Sequence, residues 1–392
     1  MAINVGQAVG YLDLDTSNFS KGLKSAYKEL QAFSDSTKSL TERTTSLSKG
    51  LQGIGSTLSK NLTVPIAAAG AASLKAGIEF ESAFAGIRKT VDATEQEFGK
   101  LRTGILEMAR EMPQSASELA AVGEIAGQLG IQTENILDFT KAMVMLGDTT
   151  NLSSTEAATA LSRFANITGM TQDNFDRLGS SIVKLGNNFA TTEAEIASMA
   201  LNIASAGTQI GLSESEILGF AAALSSVGIQ AELGGTALSK VMVQMQLAVE
   251  TGGTALHNFA TVANMSVNEF KDAFQKDAAS AIQAFIVGLS DTERLGTSTI
   301  KILNDMGIKE VRLRDTLLRA ANASGVLNDA IEKSNQAWDE NSALADEANK
   351  RYETTESQLK ILWNNIVELG IQIADILLPV FKDMVKGLQE FV

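Results

Sequence analysis

Residues 115–130 read SASELAAVGEIAGQLG, and this stretch decides the fold. Ser115 stands three residues before Glu118. At that spacing a serine hydroxyl accepts from the third helical N–H while the glutamate reaches back to the N–H of the cap. Leu119, Val122, Ile125 and Leu129 then recur every three or four residues, so one face of the helix is apolar. Gly130 closes the run where a left-handed stop is needed. The same grammar continues downstream. Thr133, Ser153, Thr171, Thr192 and Ser213 are further candidate N-caps, and Glu156, Glu195 and Glu216 complete capping boxes at three of them. Gly147, Gly169, Gly186, Gly207 and Gly228 are the matching stops. The pattern predicts six helices of about four turns each, with apolar stripes suited to a bundle.

Within this core the sequence repeats itself. Gly130-Ile131, Ile136-Leu137, Phe139 and Leu146-Gly147 return at one constant offset as Gly211-Leu212, Ile217-Leu218, Phe220 and Val227-Gly228. Thr159-Ala160-Leu161-Ser162-Arg163 returns as Thr236-Ala237-Leu238-Ser239-Lys240. Two matches in the same order predict an ancestral helical unit used twice with pseudo-twofold symmetry.

Outward from the core the period changes. On the N-terminal side Phe19, Leu23, Ala26, Leu30, Phe33, Thr37, Leu40, Thr44, Leu47, Leu51, Ile54 and Leu58 keep an unbroken 4-3 spacing, a coiled-coil signal with Leu23, Leu30, Leu51 and Leu58 at a positions. On the C-terminal side Ala345, Ala348, Tyr352, Thr355, Leu359, Leu362, Ile366, Leu369, Ile373 and Ile376 repeat it until Pro379, which is expected to interrupt the helix. Leu23, Leu30, Leu51, Leu58, Leu359, Leu362, Ile366 and Leu369 are therefore the predicted self-association residues. Further capped helices are expected at Ser266 with Glu269 and Ser290 with Glu293.

The expected fold is all-α: a central duplicated helical bundle flanked by long coiled-coil-type helices, with a short N-terminal extended segment. The expected divisions are an arm at 1–18, an N-terminal coiled coil at 19–63, Ala/Gly-rich connecting helices at 64–114, the duplicated core at 115–255, accessory helices at 256–344 and a C-terminal coiled coil at 345–392. After Pro379, Phe381, Val385, Leu388 and Val392 start a new stripe that stops without a glycine, proline or polar tail, so a longer natural protein is expected.

Composition narrows function. The 392 residues carry a net charge of −14, and no Lys/Arg stripe offers a footprint for phosphate, which argues against stable nucleic-acid binding. With no cysteine and one histidine, His257, disulfides, thiol chemistry and paired-histidine metal sites are excluded. No phosphate-binding loop or nucleophile elbow is present. Glu79/Glu81 and Asp291/Glu293 are paired carboxylates, but two Trp and three Tyr are few for a sugar cleft. His257 reads as a packed or surface side chain, Trp338 and Trp363 as one-sided packing residues, and Met143, Met242 and Met245 as core filling. No catalytic, cofactor-binding or metal residue is predicted, nor any signal peptide. The uncharged runs Asn61–Leu74 and Ile196–Ser213 read as core helices, the first too short and the second too polar to span a bilayer.

Several short segments resemble one family. Leu12-Asp13-Leu14-Asp15-Thr16-Ser17-Asn18-Phe19, then a coil, then Leu62-Thr63-Val64-Pro65-Ile66, is similar to the start of phage tail tape measure proteins. Phe80-Glu81, Arg163-Phe164-Ala165-Asn166, Gly228-Ile229, Gly234-Gly235-Thr236-Ala237-Leu238, Met306-Gly307, Leu369-Gly370 and Leu378-Pro379 follow in the family's order. The resemblance implies a non-enzymatic scaffold and ruler that sets tail tube length during assembly and leaves ahead of the DNA at ejection. It implies a homo-oligomer in the tail lumen of the virion, made in the host cytoplasm. Its implied partners are tail tube protein, tail assembly chaperones and tail-tip proteins, with host membrane contact during ejection. Two other classes have distinct signatures. A membrane-active helical protein assisting genome delivery would leak liposomes, and a cell-wall lytic enzyme would clear a zymogram.

Overall fold

A computed structural model describes residues 66–296 and 298–389. Among them are eighteen α-helices, joined by short turns, and no strand. In chain order they are α1 (Ile66–Thr90), α2 (Glu95–Glu111), α3 (Ala116–Gln128), α4 (Ile136–Thr149), α5 (Ser154–Thr168) and α6 (Phe175–Asn188). Then come α7 (Glu193–Gln209), α8 (Glu214–Ser226), α9 (Ala231–Thr251), α10 (Gly253–Val262), α11 (Val267–Lys276) and α12 (Ala278–Gly288). The last six are α13 (Thr292–Leu295), α14 (Thr299–Asp305), α15 (Val311–Asn322), α16 (Ser324–Glu340), α17 (Ala343–Tyr352) and α18 (Thr355–Gln389). Contacts divide the chain into two units, one of residues Ala83–Ile361 and one that joins the first part of α1 to α18 from Leu362 onward. The N-terminal arm and the heptad carrying Leu23, Leu30, Leu51 and Leu58 lie outside the described residues.

The capping grammar is realised at α3, α5, α7 and α8, where Ser115, Ser153, Thr192 and Ser213 close boxes with Glu118, Glu156, Glu195 and Glu216. Ser266 and Glu269 do the same for α11. Thr94 and Glu97 form a further box at α2. Three expectations need correction. Thr133 and Thr171 make no side-chain cap, because each leads into a single 3₁₀ turn before its helix. Asp291 replaces Ser290 as the cap of α13, accepting from the Arg294 N–H at 3.1 Å. Gly130, Gly169 and Gly228 take positive φ as stops, but Gly147, Gly186 and Gly207 remain helical. Their role is proximity: a methyl group on Gly147 would lie 2.9 Å from the Ser154 nitrogen, and one on Gly207 would lie 2.9 Å from Ile217.

Within the larger unit the helices form layers. α3, α5, α7 and α9 pack side by side as one layer, and α4, α6 and α8 form a second beneath it. α16 covers α6 and α8 from the far side, and α17 covers α4 and α6. The repeat is shorter than the duplication read from sequence. Each of the hairpins α3–α4, α5–α6 and α7–α8 opens on a capping box and turns at a left-handed glycine, Gly130, Gly169 or Gly211. A buried apolar residue follows each glycine: Ile131, Met170 or Leu212. Phe139 and Phe175 meet edge-on at 4.7 Å between α4 and α6. Met143, Met242 and Met245 are fully buried, as expected. α10, α11 and α12 add a second aromatic nucleus in which Phe259 packs on Phe270 and Phe285.

The C-terminal heptad does not run through one helix. Thr354 accepts from the Ser357 N–H and so caps the start of α18, while Leu344 and Ala348 of α17 are buried on the layered core. Beyond the break, α18 continues through Pro379. That proline is exposed, so the lost backbone hydrogen bond falls on the solvent side of the helix.

Candidate functional site

α18 carries its polarity the wrong way round for a helix that ends its packing with this chain. Leu362, Trp363, Ile366 and Leu369 share one face and are 45%, 63%, 42% and 39% exposed. Leu359 continues that face one turn earlier and is 61% exposed. At 100° per residue they span about a third of the helix circumference. The opposite side holds Asn364, Glu368, Ile371 and Ala374, all buried. The positions flanking the open face, Gln358, Asn365 and Gln372 on one side and Gly370 on the other, carry no charge. The four C-terminal residues predicted for self-association therefore lie together on an open apolar face. Trp363, read from sequence as a one-sided packing residue, belongs to this face as well. The signal for it was in the heptad, where it takes the position beside the seam.

The best candidate for chemistry is a polar cluster where α17 meets the core. Asp148 accepts from the Gln114 amide at 2.5 Å and from the Tyr352 hydroxyl at 2.7 Å. Burial pushes the Asp148 carboxyl above the usual range, against the two hydrogen bonds that favour its charged form. Burial, then the charge of Asp148, pushes the Tyr352 hydroxyl up in turn. The Gln114 amide and the Tyr352 hydroxyl each occupy one oxygen of the Asp148 carboxylate, and the cluster pins the end of α17 to α4. It has the geometry of a structural clasp. Sequence reading placed Tyr352 in a heptad and missed this role.

A cleft of about 410 Å³ is lined by Asn264, Ser280, Gln283, Asp291, Arg294 and Asn328, among others. Its one cation is already committed: Arg294 pairs with Asp291 at 3.0 Å and donates to the carbonyls of Thr261 and Val262. His257 is exposed on α10. Among the described residues no group of three His, Asp or Glu could hold a metal, and no helix is long and apolar enough to cross a membrane.

The layered unit and the open face of α18 are thus the two features to set beside known proteins. Residues 102–347 match the family described as phage-related minor tail protein, which is well over half of the chain. The chain belongs to that family. It is also 28% identical over 206 residues to the tape measure protein of Pneumococcus phage Dp-1, covering 50% of this chain and 17% of that protein. The chain thus spans about one sixth of that relative's length. No solved structure matches the chain. The region shared with the minor tail protein family runs from α2 to α17 and coincides with the layered unit. Its motifs now have physical reasons. Gly234 and Gly235 are buried where α9 crosses α7, and a methyl group on Gly234 would lie 2.9 Å from Met199. Phe164 is buried while Arg163 and Asn166 face solvent. Gly307 turns the chain at positive φ after α14.

Proposed function

We propose that this phage tail protein is a structural ruler and scaffold, with no catalytic or cofactor role of its own. In this reading it sets tail tube length during assembly and leaves ahead of the DNA at ejection. The observation that supports it best is the pairing of a minor-tail-protein core with an open, uncharged heptad face at Leu359, Leu362, Ile366 and Leu369. A ruler must associate along its own length and present a surface to a surrounding tube. An apolar stripe on a long helix serves the first need. Burying each of its large side chains stabilises association by about 1.5–3 kcal/mol. The N-terminal heptad at Leu23, Leu30, Leu51 and Leu58 is proposed as the second association surface. The net charge of −14 suits a protein that shares a conduit with DNA, because like charge prevents adhesion to phosphate.

The proposed partners follow from the reading: copies of the same chain, tail tube protein polymerising around them, tail assembly chaperones in the host cytoplasm and tail-tip proteins. Host membrane contact belongs to ejection. The lumen placement is testable by coexpression with the phage's tube protein. Polymerised tubes should contain the chain and shield it from protease until the tube is dissociated. A chain that remains digestible in intact tubes, or that stays in the supernatant when tubes are pelleted, contradicts the placement.

A further inference from the structure

We propose that the cleft between the end of α10, α12 and α16 binds an extended, uncharged stretch of a partner protein's main chain, gripped by the carboxamides of Asn264, Gln283 and Asn328. The inference is independent of the ruler reading and of the α18 face, and three observations carry it.

The first is the backbone at Asn264. Among the described residues two that are not glycine hold positive φ, Asn264 at 59° and Asn341 at 46°. The stops after α3, α5 and α8 are glycines, which take that conformation freely. Asn341 uses its side chain within the chain, donating to Asp176 and accepting from the Ser180 hydroxyl at 3.2 Å. Asn264 ends α10 in the same conformation, with the Met265 N–H bonded to the Ala260 carbonyl at 2.9 Å. Its carboxamide, however, bonds to no other described residue and lines the cleft. A strained asparagine with an idle amide points to a ligand outside the chain. The second is how firmly that wall is held. Arg294 donates to the Thr261 and Val262 carbonyls at 2.9 and 2.7 Å, and Gly288 lies so close to the Val262 carbonyl that no side chain fits between them. The turn carrying Asn264 is thereby fixed against α12 in advance, which lowers the ordering cost of binding.

The third is the chemistry of the lining. Gln283 and Asn328, like Asn264, bond to no other described residue. A carboxamide sets a donor beside an acceptor, and an extended strand presents the N–H and C=O of one residue to the same side, so the two join through paired hydrogen bonds. The chain already uses this mode internally: Gln172 accepts from the Gln132 N–H at 2.7 Å and donates to the Gly130 carbonyl at 3.3 Å. Charge in the cleft cancels in the Asp291–Arg294 pair, which favours a neutral ligand. Ala263, Ala284 and Gly288 are small enough to admit main chain, and Val287, 39% exposed beside them, offers contact to alternate side chains of a strand. No aromatic ring is among the described lining residues, so a nucleobase would lack a stacking face.

The test titrates the full chain with the blocked tetrapeptide acetyl-Ala-Val-Ala-Val-amide and follows the side-chain amide resonances of Asn264, Gln283 and Asn328 by NMR. The same peptide with methylated backbone nitrogens and free adenosine are the comparisons. The tetrapeptide should shift all three resonances at millimolar concentration or below, and the methylated peptide, which cannot donate, should not. Asn264→Gly keeps the left-handed turn and so keeps the fold. It should bind about fivefold more weakly, the loss of one net hydrogen bond, with a thermal midpoint no lower than the parent's. Asn328→Ala should weaken binding to the same degree. Equal affinity for the plain and methylated peptides overturns main-chain recognition. Adenosine shifting these resonances where the tetrapeptide does not overturns the ligand class. No shift from the tetrapeptide at millimolar concentration, or an Asn264→Gly chain that binds it as the parent does, overturns the site.

Discussion

Gly219 lies at the crossing of α8 and α16, and its replacement tests the layered core. A methyl group there would stand 2.6 Å from Cα of Ile331 and 3.0 Å from its backbone nitrogen. Those are main-chain atoms, so no rotamer change relieves the contact and the helices must separate. Such overpacking costs about 1–3 kcal/mol, and a clash with main chain falls in the upper part of that range, about 2–3 kcal/mol. Alanine's helix propensity returns up to about 1 kcal/mol of this, leaving Gly219→Ala destabilised by roughly 1–2 kcal/mol. For a unit of this size each kcal/mol moves the midpoint by about 2–4 °C, so calorimetry should show a fall of about 2–8 °C. Gly99→Ala is the control. It is exposed inside α2 with nothing within 4 Å, and the same change should stabilise by about 0.4–1 kcal/mol. Equal midpoints for the two variants would refute the close approach of α8 and α16.

The caps give a second contrast: Ser153→Ala removes a formed capping box and should cost about 1 kcal/mol in urea unfolding, whereas Thr171→Ala, which caps nothing, should stay within about 0.5 kcal/mol. A third prediction concerns pH. The Asp148 carboxyl is raised, so its favourable contribution is present below the ordinary aspartate range and is lost as pH rises through its folded value. The stability of Asp148→Asn relative to the parent should therefore increase from pH 4 to pH 7, and parallel pH profiles would contradict the buried clasp. The lowered carboxyls of Glu97, Glu156 and Glu269 act in the opposite sense, losing stability as pH falls through their folded values, and both chains share them.

Local chemistry was legible because it is written within a few residues. A Ser-x-x-Glu box needs only its own backbone, and the four boxes read across residues 115–228 all form. The 3.6 period likewise reports burial at Leu119 and Val122, while Ile125 and Leu129 further along the stripe are only half-buried. What was not legible depends on partners distant in the chain. Gly147 and Gly207 look like stops, yet their use is close approach to Ser154 and Ile217, which a single helix cannot announce. Heptad spacing placed Tyr352 in the same seam as Leu359, although Thr354 caps a new helix between them and Tyr352 finds Asp148 more than 200 residues away. The hairpin repeat was missed because its units share a cap, a left-handed glycine and one apolar contact, with little identity elsewhere. The open face was half read: the sequence located Leu359, Leu362, Ile366 and Leu369, but solvent exposure and the addition of Trp363 required the fold.

The ruler claim is tested most directly by lengthening the rod in the phage itself. Repeating Leu359–Asn365 once, twice or three times adds whole heptads, so the apolar face rejoins in register. At about 1.5 Å per helical residue the three insertions add roughly 10, 21 and 32 Å. Tubes grow by whole rings, so individual steps will be rounded, but virion tails measured by electron microscopy should lengthen across the series. Tails of constant length through all three insertions, in particles that still assemble, would contradict a ruler role for α18.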